Sequence, residues 1–355
     1  MFLELVTGLA ARGWDQKIIV PVRDWLYGEL QARGLDTSVL SGEGSFDVGY
    51  ARRLRHLVRA ESIELVQTHL FGSAVYAGLA VGGRAIPVVS TFHGSADIGP
   101  DERYRRMKFR LVRRPRNRFV FVSDALLRWF VHTHALPRPQ CRVVHNGIAL
   151  DHFVPRRDPS FRRDIGVPDA AVLVGAVGNI RRPKRYDVFL KAAALLRKRS
   201  AEYHFVIVGE GSGALQDELI ALRRELHLED AVTFAGFRSD VGSVLNSLDV
   251  YCTSSSFEGF SLSTLEAVAA GVPVVATRCG GPEEIVEEGR SGLFVSPESP
   301  RALADGIERL VTLETTDGVI EHRRRASVER FTLEAMVEGY MGVYAECVTP
   351  APVSA

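Results

Sequence analysis

The strongest constraint in this chain is an alternation of two periodicities. Apolar runs of strand length, at residues 17–22, 65–70, 87–92, 118–123 and 142–144, are separated by stretches at 48–59, 73–81 and 124–134 whose apolar residues return every three to four positions. Strands that alternate with helices predict an α/β fold on a parallel sheet covered on both faces. The chain opens on a helix, with Phe2, Leu5, Val6 and Leu9 at helical spacing. The alternation pauses over the polar segment 156–169. It restarts at 172–177, followed by a helix over 187–199 and further runs at 203–208, 232–234, 272–277 and 293–295. Two α/β domains are expected, 1–150 and 151–330, with the crossing in the polar segment. Helical stretches at 301–313 and 320–330 come next. Leu333, Val337, Tyr340 and Met341 mark a closing helix over 331–347, and 348–355 reads as a loose tail.

Chemistry concentrates in the stretch 257–273, F-E-G-F-S-L-S-T-L-E-A-V-A-A-G-V-P. An exposed turn at Glu258 and Gly259 leads into a helix over 261–270 that Gly271 closes. Gly259 lets the backbone approach a ligand, and the N–H groups opening the helix form a seat for a phosphate. Glu266 sits among Leu262, Leu265 and Val268, where an ionised carboxylate is costly unless hydroxyls of a sugar or ribose donate to it. A surface carboxylate is the plainer alternative. A loop led by Gly178 and carrying Arg181, Arg182 and Lys184 precedes the 187–199 helix and suits a diphosphate. No Asp-x-Asp pair occurs, so metal ligands are not evident and no cofactor is called for. The turn from Gly209 to Ala214 fits G-x-G-x-x-A, which makes an NAD-dependent Rossmann dehydrogenase the runner-up. Its expected ribose-binding acid is misplaced, because Glu229 and Asp230 come before the next strand rather than after it.

In the first half, His69, His93 and Ser123 fall at the carboxyl ends of strands, where ligands gather in such sheets. His93, followed by Gly94, is placed to meet a sugar hydroxyl, with a locally satisfied histidine as the alternative; His69 reads equally well as structural. The run 103–118 holds nine basic residues and no acid. Interrupted by Tyr104, Met107, Phe109 and Leu111, it suits an anionic membrane surface, a phosphorylated acceptor, or a solvated face.

Composition narrows the class. A net charge of +1 makes no case for nucleic acid, and four scattered cysteines indicate neither a disulfide framework nor a zinc site. A reducing cytoplasm fits. No apolar run approaches the roughly 20 residues that span a bilayer, and no signal-peptide pattern opens the chain.

The two glutamates eight positions apart, in E-G-F-x-L-x-x-x-E-A-x-A-x-G-x-P-V followed by Gly280-Gly281-Pro282-Glu283-Glu284-Ile285, resemble the donor-site signature of glycosyltransferase family 4. That resemblance implies a retaining, metal-independent hexosyltransferase with two facing Rossmann-like domains (GT-B). It would use a UDP- or GDP-sugar and a glycan or lipid-linked acceptor, in polysaccharide or glycolipid synthesis; the basic run 103–118 adds the expectation of a peripheral place on the membrane's inner face. A non-catalytic sugar-nucleotide-binding relative is the other alternative. By the resemblance Glu266 holds the ribose, Glu258 the donor sugar hydroxyls and Lys184 the diphosphate. Gly178 and Gly209 line the donor cleft. Gly259 and the backbone of Phe260, Ser261 and Leu262 serve the sugar–phosphate region, and His93 completes the pocket. The family commonly has arginine after the leading glycine and glycine after the lysine. This chain has Asn179 and Arg185 there, with Arg181 as the candidate replacement. Because Met1 already lies in what resembles the first helix, the first domain is expected to lack its opening strand and glycine-rich turn, unless a later strand fills the gap.

Overall fold

Helix α1 (Phe2–Ala10) buries Leu3, Leu5, Val6 and Leu9 on one face, the stripe its apolar spacing predicts. The computed structural model describes residues 1–42, 47–82, 85–99, 104–156, 158–313, 328 and 330–348. The chain divides into two units, Met1–Gly147 with Phe331–Ala355, and Ile148–Arg330.

In unit 1, β1 (Ile18–Val20), α2 (Trp25–Ala32), β2 (Thr37–Val39) and α3 (Val48–Ala60) precede a run of alternating strands and helices. These are β3 (Val66–His69), α4 (Phe71–Val81), β4 (Val88–Phe92), α5 (Arg105–Val112), β5 (Arg118–Phe121), α6 (Asp124–His134) and β6 (Cys141–Val143). The strands form two parallel sheets instead of the single sheet expected: β1 pairs β2, and β3-β4-β5-β6 run side by side in chain order. Alternation dictates parallel pairing but carries no information on which strands become neighbours.

Unit 2 begins with α7 (Ser160–Asp164) and continues through β7 (Val172–Val177), α8 (Tyr186–Arg199), β8 (Tyr203–Val208), α9 (Ala214–Glu225) and β9 (Val232–Gly236). Then come α10 (Val241–Asn246), β10 (Val250–Thr253), α11 (Leu262–Ala269), β11 (Val274–Thr277), β12 (Gly292–Val295) and α12 (Pro300–Thr312). Its single parallel sheet has the order β12-β11-β10-β7-β8-β9. The chain moves outward from β7 to β9, then returns to β7's other side, where Val250 registers with Val174. Between β7 and β10 the strand order reverses, and loops leaving such a switch point open a crevice at the carboxyl ends. Phe189, Leu190, Leu196, Phe205, Ile207, Leu303 and Ile307 form the core that holds α8 and α12 to the sheet.

The units part at Gly147 and Ile148, and the polar segment 156–169 is no open crossing. Phe161 is fully buried in it, and buried Arg162 donates to the carbonyls of Ser247 and Ala171 and pairs with Asp249 at 2.5 Å. Such satisfied burial of a guanidinium ties the segment to unit 2. The last described helix, α13 (Leu333–Val348), belongs to unit 1: Met336, Val337 and Tyr340 pack with Leu5, Leu9, Val89 and Val120. Its Glu346 pairs with Arg142 at 2.7 Å and Arg118 at 3.3 Å. The 320–330 helical stretch lies almost wholly, and the 349–355 tail wholly, outside the described residues.

Candidate functional site

The loops leaving β7 and β10 converge because backbone and side chains lock them together. Ser256 N–H donates to the Pro183 carbonyl at 2.8 Å, and Ser254 Oγ to the Lys184 carbonyl at 2.8 Å. The Gly178 carbonyl accepts from Tyr186 Oη at 2.7 Å. Gly178 and Gly209 share φ +149°, in the region that favours glycine, and a Cβ on Gly209 would lie 2.2 Å from the Gly178 carbonyl oxygen. Close packing of two loops therefore accounts for the Gly209 turn that also fits a dinucleotide fingerprint.

At the centre, Lys184 Nζ pairs with Glu258 Oε1 at 2.7 Å, and Ser255 Oγ donates to the same oxygen at 2.6 Å. Only 22% and 13% of the two side chains is exposed. Burial by itself lowers the lysine's pKa, but Glu258 and then Tyr251 outweigh it and the ammonium is held above its ordinary value. Both contacts fall on Oε1, so Oε2 of Glu258 is uncommitted among the described residues. The Glu258 backbone is clamped too: its N–H donates to the Cys279 carbonyl, and its own carbonyl accepts from Gly281 N–H at 3.0 Å.

Helix α11 follows directly. Ser261 makes no side-chain cap; its Oγ is shared with Thr264 Oγ1 at 2.8 Å. The first N–H groups of α11 are thus left for another acceptor, the arrangement that seats an anion. Glu266 is half-buried one turn on, and no hydrogen bond or ion pair reaches its carboxylate among the described residues. Burial pushes its pKa up to about 7. Arg181 is exposed, without an ionic partner among the described residues. Arg185, in contrast, is committed to Asp187 at 2.9 Å and to Glu298. Phe260 and Ser261 are buried and Leu262 is half-buried.

His93 belongs to unit 1, just beyond β4. Its Nε2 lies 2.9 Å from Nδ1 of His69, at the end of β3, with the rings stacked at 5.2 Å. Burial drives both pKa values down, to about 3 for His69, where the His93 charge adds to it, and about 4 for His93. One neutral imidazole must donate to the other. Asp97 fixes the turn by accepting from the N–H groups of His93 at 2.5 Å and Gly94 at 3.2 Å. Ser123 is spent as the cap of α6, accepting from Leu126 N–H at 3.1 Å. Ser255 and Tyr186 are site residues that sequence reasoning does not single out, while Glu283, part of the quoted signature, accepts from Gly280 N–H at 2.9 Å. The polar stretch 253–256 after a strand is the available signal.

Residues 158–328 match the family model for "Glycosyl transferases group 1", and residues 1–152 that for "Glycosyltransferase Family 4". The N-acetyl-alpha-D-glucosaminyl L-malate synthase of Bacillus anthracis is 26% identical over 307 residues, which cover 84% of this chain and 79% of that protein. A glycosyltransferase structure from Rickettsia africae superposes with a TM-score of 0.85 at 20% identity, covering 98% of this chain and 94% of that one. The Anabaena protein HepE in complex with UDP-glucose gives 0.82 at 19% identity, covering 97% and 95%. These structures share the fold, GT-B with two Rossmann-like domains, and the matched models set the dehydrogenase alternative aside. No described helix is long and apolar enough to cross a membrane.

Proposed function

We propose, on the premise that the chain belongs to glycosyltransferase family 4, that it moves a hexosyl group from a UDP- or GDP-sugar to a glycan or lipid-linked acceptor, with retention and without a metal. The observation that carries this is the buried Lys184–Glu258 pair at the switch point of unit 2, beside a Glu266 without a partner among the described residues and an α11 without a side-chain cap. Glu266 needs donors, and the two hydroxyls of a ribose supply them. Lys184, with Arg181 at the loop's rim, neutralises the diphosphate as its charge develops, and the α11 N–H groups bind a phosphate oxygen. Cationic side chains thus supply the charge neutralisation that a metal supplies elsewhere.

Glu258, anchored through Oε1, offers Oε2 to the donor sugar's hydroxyls. His93, a neutral imidazole oriented by His69, is suited to hydrogen-bond a sugar hydroxyl. Retention follows if the leaving phosphate oxygen takes the acceptor's proton on the face it departs from, without an enzyme nucleophile. The UDP-glucose held by the Anabaena protein agrees with this donor class. The basic run 103–118 would hold the enzyme against an anionic membrane where lipid-linked acceptors lie.

A thermal-shift panel of nucleotide-sugars, followed by assay of donor hydrolysis without acceptor, tests this. One nucleotide-sugar should stabilise the protein and be slowly hydrolysed. Stabilisation without hydrolysis would indicate a binding relative, and neither would sink the proposal.

A further inference from the structure

Between α5 and α6 on unit 1 lies a depression of about 590 Å³ whose wall includes Arg105, Arg106, Arg110, Arg113, Phe109 and His134. Arg106, Arg110 and Arg113 recur at the spacing that puts side chains on one helix face. Arg113 is used by the fold itself, since it donates to the His134 carbonyl at the end of α6 and its guanidinium lies 4.8 Å over the Phe109 ring. The other three make no such contact among the described residues. Among the described residues no acid meets Arg105, Arg106 or Arg110, although like charges one turn apart repel.

His134 lies in the same wall. It is 8% exposed, packed against Phe109, Trp129 and Phe130, and its Nε2 has no hydrogen-bond partner. Burial, then the charges of Arg105 and Arg113, lower its pKa. Guanidinium groups that meet no acid among the described residues, gathered on one concave wall, suit an oxyanion that bridges them. Tyr104 and Met107, 62% and 49% exposed, add apolar surface to the same segment.

We infer that the α5–α6 pocket is a binding site for a terminal phosphate or diphosphate group, held by Arg105, Arg106 and Arg110. This rests on reading α5 as an anion-facing helix but asks for more than diffuse adhesion to charge. The group has two possible sources, a phospholipid headgroup and a soluble phosphate ester.

The test uses the full chain and two charge-matched double variants, R106Q/R110Q in the pocket and R116Q/R128Q outside it. In a Lys184→Met background, which disables the diphosphate seat of unit 2 and serves as the parent for both pairs, inorganic pyrophosphate should bind. The pocket pair should weaken it by about tenfold or more, and the outer pair by no more than about twofold. Equal losses in both pairs, or no pyrophosphate binding to the parent, would overturn the site. Vesicles of phosphatidic acid and phosphatidylglycerol, matched in surface charge, separate the sources. Preference for phosphatidic acid, competed by pyrophosphate, assigns the lipid monoester, and binding of glycerol phosphate as tight as that of the vesicles assigns the soluble ester. Equal vesicle binding that pyrophosphate does not compete would refute the pocket while leaving general membrane adhesion standing.

Discussion

Each unit holds one close polar pair at the carboxyl ends of parallel strands, and the two pairs are electrostatic opposites. In unit 1, His69 and His93 share one hydrogen bond while burial keeps both neutral. In unit 2, Glu258 and then Tyr251 outweigh the cost of burying Lys184 and hold its ammonium above the ordinary pKa. A neutral pair can orient hydroxyls without attracting phosphate, whereas a lysine held firmly protonated can bind a diphosphate in the crevice of its own sheet. Local environment, rather than residue type alone, separates a neutral pair suited to hydroxyls from a charged lysine suited to phosphate.

The largest effect is expected from Lys184→Met, which strands a mostly buried carboxylate. Stability should fall by about 2–4 kcal/mol and donor affinity by about tenfold or more. Urea unfolding and calorimetry measure these; an unchanged midpoint would show the pair to be solvated. His93→Asn should lower turnover about 100-fold while nucleotide affinity stays within about twofold, because a neutral imidazole contributes orientation and no charge. The histidine pair also has a pH signature. Both folded pKa values lie below the ordinary one, so the unfolded state binds more protons and stability should drop as pH falls below about 6.5 toward 4. In His69→Phe that acid loss should shrink, and equal acid sensitivity in the two proteins would contradict the burial argument.

Glu266 shows the opposite linkage. Its folded pKa is raised to about 7, so the stability tied to its protonated form is complete below the ordinary carboxylate value and lost as pH rises through 7. Glu266→Gln should gain stability relative to the parent near pH 8, by about 1–3 kcal/mol, yet lose nucleotide affinity about tenfold. In the parent, affinity should rise between about pH 6 and pH 8 as the carboxylate ionises. A flat profile would remove Glu266 from the nucleotide site. The smallest effect concerns Arg185, which stands where the family has glycine. It adopts φ +49° and is held by Asp187 and Glu298. Arg185→Gly relieves backbone strain but loses surface ion pairs of similar worth, so the melting free energy should move by less than about 1 kcal/mol.

Much of this contrast is legible in the sequence. Strong periodicity marks β3 to β6, α3, α4 and α6, and the 257–273 pattern singles out Glu258 and Glu266. Elements with little burial escape it. Of α2 only Leu30 is buried, and β2, Thr-Ser-Val, has no buried residue, so neither carries an apolar stripe to detect. Arg162 reads as a surface charge until the carbonyls of Ser247 and Ala171 and the Asp249 carboxylate are seen around it. The His69–His93 contact is likewise set by strand register, with His69 opposite Thr91, two residues before His93.

The division of labour is tested most directly by calorimetric titration of one nucleotide into the parent, Lys184→Met, Glu266→Gln and His93→Asn, each confirmed folded. Affinity should drop about tenfold or more in the two unit 2 variants and stay within about twofold in His93→Asn. Full affinity in Lys184→Met and Glu266→Gln, with loss in His93→Asn, would place the nucleotide on the wrong unit and contradict the assignment.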